Sequence, residues 1–214
     1  MLTVYAIPES LYCAKLRILL RAKGLSWTEV PPPGGYGSEE YKRTVASGNL
    51  PALVDDGFLI ADSEAIAEYL EETHPSPPLL PRGAQARARM RERGRFHDTR
   101  LEPAVRRLFP HIRPARRDDA VVSAAAHEIA RRLDQFARIL NIDGIDQEFF
   151  GLGDCGWPVT LMWIDLLALV FGLELPLPPE VAAYRDRLVL VPAVAAELAE
   201  YRPRVAAWLA EETA

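Results

Sequence analysis

Between residues 2 and 73, strand-like and helix-like patterns alternate; beyond His74-Pro75-Ser76-Pro77-Pro78 no strand pattern recurs. Residues 2–7 read as a strand, and residues 11–23 as a helix with Leu16, Leu19 and Leu20 on one face and Gly24 as its stop. Trp27–Val30 is a second strand, Pro31-Pro32-Pro33-Gly34-Gly35 a loop, and residues 38–45 a short helix. Residues 52–54 and 58–60 flank Asp55-Asp56-Gly57, a strong hairpin signal. Asp62 or Ser63 then caps a helix to about Thr73, with Ala65, Ile66, Tyr69 and Leu70 on one face. The order βαβαββα argues for an α/β layer domain over residues 1–76. Residues 84–109 (bent near Pro103), 118–140, 160–171, Pro179–Leu188 and 203–208 carry only helix patterns, so residues 84–214 are expected to form an all-α bundle.

Charge divides the chain at the same place. Residues 1–76 hold 6 Lys/Arg and 11 Asp/Glu, whereas the remainder holds 19 of each and no lysine. With a net charge of -5, no general attraction to nucleic acid is expected. Two cysteines make neither a disulfide framework nor a zinc ribbon, and no secretory signal is visible. The reducing cytoplasm is the expected compartment. The longest apolar run, residues 159–173, is interrupted by Asp165 and reads as a buried core helix rather than a membrane span.

Three short stretches carry the chemistry. Ser10-Leu11-Tyr12-Cys13 lies where a strand gives way to a helix. Unpaired N–H groups and the helix dipole at such a turn hold anions and lower the pKa of a thiol. The Ser-x-x-Cys looks like a thioredoxin-type Cys-x-x-Cys whose first sulfur has become a hydroxyl, able to hydrogen-bond a ligand's thiolate. The competing reading is a plain helix cap, for which Ser is well suited. In Asn49-Leu50-Pro51-Ala52-Leu53-Val54, a proline enters a strand. A cis Pro51 is expected, with the backbone of Leu50 free to pair with an extended peptide; an ordinary turn is the alternative. In Ala61-Asp62-Ser63-Glu64, a helix start offers N–H groups and a hydroxyl to a carboxylate, and Asp62 to an ammonium. A capping-box variant is the plainer account.

Other signals are discounted. Gly151-Leu152-Gly153-Asp154-Cys155-Gly156 matches G-x-G-x-x-G but follows no strand. His127-Glu128 opens like a zincin motif, yet Arg131 stands where the second His belongs, and no metal site is expected. The arginines from Arg82 to Arg117, interleaved with Glu92, Asp98 and Glu102, read as a solvated helix face rather than a rim that draws anions.

Taken in their order and spacing, Ser10, Leu50-Pro51 and Asp62-Ser63 within one βαβαββα unit, followed by a helical domain, make the chain resemble the cytosolic glutathione transferases of serine type, with the class open. The resemblance implies a thioredoxin-like N-terminal domain binding glutathione as co-substrate and a helical C-terminal domain holding a small hydrophobic electrophile. It implies that Ser10 is catalytic and Cys13 structural. Leu50 would pair with the cysteinyl part of glutathione, beside a cis Pro51. Asp62 and Ser63 would hold the γ-glutamyl end, and Asn49 stands near the glycine carboxylate. A cytoplasmic detoxifying homodimer, without nucleic-acid or membrane partners, completes the expectation. The alternatives are a glutathione-dependent isomerase, a thiol-transferase using Cys13, or a non-catalytic binding protein of the same fold. The sequence departs from the family at Val45-Ala46, where Asn-Pro is common. It departs again at Thr160, whose third successor is Trp163 rather than Asp, so that the capping box of that helix is missing or shifted.

Overall fold

The computed structural model describes residues 1–142 and 148–213. These fall into two compact units that meet between Leu80 and Pro81. The first is a thioredoxin-like βαβαββα layer: β1 (Leu2–Tyr5), α1 (Leu11–Ala22), β2 (Trp27–Val30), α2 (Glu39–Thr44), β3 (Ala52–Asp55), β4 (Phe58–Ala61) and α3 (Ser63–Thr73). The sheet order is β2-β1-β3-β4. β1 runs parallel to β2 and antiparallel to β3, and β3 pairs antiparallel with β4. The Asp56-Gly57 turn has positive φ at both residues (44° and 88°), the geometry that matches the twist of a two-residue hairpin. The core lies where Leu16, Ile18, Leu19 and Leu20 of α1 and Ile66, Ala67 and Leu70 of α3 are sealed against Leu2, Val4 and Leu53. On α3 the buried alanine is Ala67, while Ala65 faces solvent.

Charged residues are built into this core. Lys23 lies at the end of α1 with its ammonium 2.6 Å from the Glu71 carboxylate, both buried. Lys23 also donates to the carbonyls of His74 and Pro77, and Glu71 accepts from the backbone N–H groups of Leu79 and Leu80. A buried pair is tolerated when its remaining donors and acceptors are satisfied in this way. Residues 74–80 therefore belong to the first unit.

The second unit is all-helical: α4 (Ala84–Phe96), a π-helical turn (His97–Leu101), α5 (Glu102–Arg106), two 3₁₀ turns, α6 (Asp119–Leu140), a 3₁₀ turn (Leu152–Asp154), α7 (Trp157–Phe171), α8 (Pro179–Leu188) and α9 (Pro192–Thr213). Several elements differ from the sequence expectation. The long helix expected over residues 84–109 is divided at the π turn, because Pro103 has no N–H to return to the carbonyl four residues earlier. α9 begins eleven residues before Pro203, which lies inside it. α7 begins at Trp157 without a side-chain cap. Thr160 thus falls in its first turn, and its hydroxyl faces Nε2 of buried His97 at 2.6 Å instead of capping the helix. The stretch Leu152–Phe171 is long and apolar enough to cross a membrane by length and composition, which the run read from sequence was not. Two thirds of it is buried inside the protein, as in a core helix.

The G-x-G-x-x-G segment has a packing role. A Cβ on Gly153 would lie 2.0 Å from the Met90 carbonyl oxygen, and one on Gly156 2.4 Å from the His97 ring. The backbone of this segment therefore lies directly against α4 and the π turn. Asp154 sits fully buried in the same segment. It pairs with Arg93 at 2.8 Å and accepts from Gly151 N at 2.9 Å and from the Tyr184 hydroxyl. Arg93 thus departs from the solvated face expected of the arginine run.

Candidate functional site

The strand register places the three sequence-derived stretches together. Tyr5 pairs with Ala52, and Ala52 pairs with Ala61, in one row across the sheet. The turn bearing Ser10 leaves the row after β1, Leu50-Pro51 enters it before β3, and Asp62-Ser63 leaves it after β4. All three therefore project from the same end of the sheet. Lys15 on α1 closes the arrangement with a 2.6 Å ion pair to Glu64 at the start of α3.

Ser10 is the N-cap of α1, and its Oγ accepts from Cys13 N at 3.3 Å. Accepting that bond does not itself use the hydroxyl proton. Arg17 anchors the same turn, its guanidinium paired with Glu29 at 2.6 Å and donating to the carbonyls of Ile7 and Pro8. The Cys13 thiol is 1% exposed. Burial pushes its pKa up, against the opposing pull of hydrogen bonds from Ser10 and the Ile7 backbone and of the Arg17 charge. It is thus a neutral, enclosed thiol at neutral pH.

The Leu50–Pro51 bond is cis, as is Ser76–Pro77. The Leu50 side chain is buried, and its backbone N–H and C=O make no hydrogen bond with another described residue. The preceding residue is held on both sides: Asn49 N donates to Ser47 Oγ, and Asn49 O accepts from the buried Tyr41 hydroxyl at 3.0 Å. The Asn49 side chain is exposed.

Asp62 adopts φ 81°, ψ 121°, a conformation costly for any residue but glycine and one that concentrates at functional sites. Its Oδ1 accepts from Glu64 N at 2.9 Å and Ala65 N at 3.1 Å, capping α3. The capping reading is thus observed, and it uses one of the two carboxylate oxygens. Ser63 is buried, and its N–H and hydroxyl make no hydrogen bond with another described residue.

Sequence reasoning named Ser10, Asn49, Leu50, Pro51, Asp62 and Ser63. It assigned no role to Lys15, Arg17 and Tyr41, which hold them in place. The available signal was the pair of cations on the otherwise apolar face of α1. Among the described residues no group of three His, Cys, Asp or Glu side chains could hold a metal ion.

Residues 4–78 match the family model "Glutathione S-transferase, N-terminal domain". The chain is 39% identical over 90 residues to glutathione S-transferase Z1 of Arabidopsis thaliana, covering 41% of each protein. It is 37% identical over 91 residues to a stringent starvation protein A homolog of Pasteurella multocida, covering 42% of each. It is 43% identical over 82 residues to maleylacetoacetate isomerase of Rattus norvegicus, covering 36% of this chain and 38% of the relative. These matches span about two fifths of the curated relatives' length. The fold matches over nearly the whole chain: glutathione transferase URE2P5 of Phanerochaete chrysosporium superposes with a TM-score of 0.82, at 19% identity, over 97% of both chains. The first unit thus carries a glutathione S-transferase N-terminal domain, and the chain as a whole has the glutathione transferase fold.

Proposed function

We propose that the protein conjugates the thiolate of glutathione to a small apolar electrophile. The observation that carries this reading is the projection from one sheet end of a capping hydroxyl on Ser10, the unpaired backbone of Leu50, and the unpaired N–H and hydroxyl of Ser63 beside the Asp62 carboxylate. These suit a thiolate, a peptide unit and an α-amino-acid end respectively. Ser10 donates to the sulfur, and the α1 N-terminus stabilises its charge. The Leu50 backbone pairs with the cysteinyl unit. Ser63 receives the γ-glutamyl carboxylate, and the free oxygen of Asp62 receives the ammonium. Asn49 is exposed towards the glycyl end. Lowering the thiol pKa by one to two units corresponds to about 1.4–2.7 kcal/mol of preferential thiolate binding. Proximity to the electrophile, assigned to the helical unit, supplies the rest. A homodimer acting in detoxification in the cytoplasm goes with this reading.

Likeness to a maleylacetoacetate isomerase favours one further reading, in which the same thiolate adds to a double bond and leaves again. A thiol-transferase using Cys13 is disfavoured by the burial of that thiol. Steady-state assay with glutathione and an aryl halide tests the proposal. Saturable conjugation supports it, and turnover only of a cis-alkene diacid supports isomerisation. Glutathione binding without either activity would leave the protein a binding member of the fold.

A further inference from the structure

We propose, on the functional reading above, that Tyr41 is a positioning residue for glutathione: its hydroxyl, held on the Asn49 carbonyl, turns the Leu50 N–H outward to the peptide unit of the ligand.

The helix α2 has six residues, too few to be stable by itself, and Tyr41 is its only buried residue. Ser38 Oγ caps the helix by accepting from Tyr41 N at 3.0 Å, and donates to the Pro33 carbonyl at 2.7 Å. The Tyr41 ring meets Tyr5 of β1 edge-on, with centroids 5.6 Å apart. A phenylalanine would make the same ring contact. A buried hydroxyl, by contrast, costs free energy unless it is hydrogen-bonded. Among the described residues the one hydrogen bond of the Tyr41 hydroxyl runs to Asn49 O at 3.0 Å. Burial pushes the phenol pKa up, and the neighbouring Cys13, Tyr5 and Tyr36 push the same way. The hydroxyl therefore keeps its proton and acts as a donor at any working pH.

The peptide between Asn49 and Leu50 is trans, and in a trans peptide the C=O and N–H point in opposite directions. A carbonyl drawn inward to Tyr41 therefore sends the Leu50 N–H away from α2. That N–H has no hydrogen-bond partner among the described residues. Other restraints on this peptide are slight. The Asn49 side chain is exposed, and its own N–H reaches the exposed Ser47 hydroxyl at 3.2 Å. Without the tyrosine hydroxyl the peptide samples further orientations. A ligand that needs one of them then binds more weakly, in proportion to the fraction of molecules that present it.

Calorimetric titration of the full chain with glutathione, alongside thermal melts, tests the proposal in Tyr41→Phe and in a control, Val45→Ala. Val45 is buried at the C-terminal end of α2, so its truncation loosens the same helix and leaves the tyrosine hydroxyl in place. Tyr41→Phe is expected to weaken glutathione binding about three- to tenfold, the net worth of one hydrogen bond, at unchanged stoichiometry. Val45→Ala is expected to lower the melting temperature and to keep the wild-type Kd. In the aryl halide assay the loss in Tyr41→Phe should fall on KM for glutathione and leave kcat within about twofold, since Ser10 is untouched. Wild-type affinity in Tyr41→Phe, or a loss confined to kcat, would overturn the proposal and leave the functional reading standing. Equal affinity losses in both variants would overturn it in favour of a purely structural role. Absence of glutathione binding by the wild-type chain would overturn the functional reading itself, and the role of Tyr41 with it.

Discussion

Replacing Asp62 by asparagine separates the two duties of that side chain. In the structure one carboxylate oxygen caps α3 through two backbone N–H groups. An asparagine carbonyl accepts the same two bonds, and asparagine tolerates positive φ better than most residues. Stability should therefore change by less than about 0.5 kcal/mol. The negative charge disappears, and with it the partner proposed for the γ-glutamyl ammonium. A hydrogen bond to a charged group is worth about 1.5–3 kcal/mol. Because Asp62 is exposed, the lower end applies, so glutathione affinity should weaken roughly tenfold. Asp62→Ala loses the cap as well and places a Cβ residue at φ 81°, so it should lower stability by about 1–2 kcal/mol in addition. Calorimetric titration with glutathione, alongside thermal melts, reads both quantities on each variant. Unchanged affinity in Asp62→Asn would refute the placement of the ammonium. Equal affinity losses in both variants, tracking their melting temperatures, would assign Asp62 to the helix alone.

Ser10→Ala should cost about 1 kcal/mol of stability as a lost cap. It should also slow conjugation by roughly thirty- to a thousand-fold if the hydroxyl stabilises the thiolate, and an unshifted pH–rate profile with only a lowered melting temperature would deny that role. The raised pKa of Cys13 keeps it protonated at neutral pH, so iodoacetamide should label it only on unfolding, and Cys13→Ala should retain conjugation. Rapid labelling of the native protein, followed by mass spectrometry, would contradict this. Gly153→Ala drives a methyl into the Met90 carbonyl, a backbone atom that cannot swing aside, and should destabilise by about 3 kcal/mol or more in a denaturant titration.

Local signals were legible in the sequence, and distant ones were not. Ser10, Asp62 and the Asp56-Gly57 turn announce themselves because a cap or a turn is decided within four residues. The proline of Leu50-Pro51 likewise marks a strand entry by what it cannot donate. By contrast, Lys15 meets Glu64 and Arg93 meets Asp154 across 49 and 61 residues, so no spacing rule connects them. Arg93 in particular is hidden among neighbouring arginines that do face water. Pro203 misled because a proline usually opens a helix. Here the long apolar face of α9, with Val194, Tyr201, Val205 and Leu209 buried, carries the helix through it. The π turn was invisible for a similar reason: it is an accommodation between Pro103 and the packing of His97 against Gly156, not a property of either residue.

The buried pair of Lys23 and Glu71 bears on where this protein can be cut. A fragment ending at Ser76, where the composition changes, would remove Pro77, Leu79 and Leu80. Those residues supply one carbonyl to the ammonium and two N–H groups to the carboxylate. Two charges would remain in an apolar interior with three of their four backbone partners gone. A fragment ending at Leu80 keeps every one of them. The boundary of the first unit is thus drawn by a salt bridge rather than by the prolines that follow its last helix.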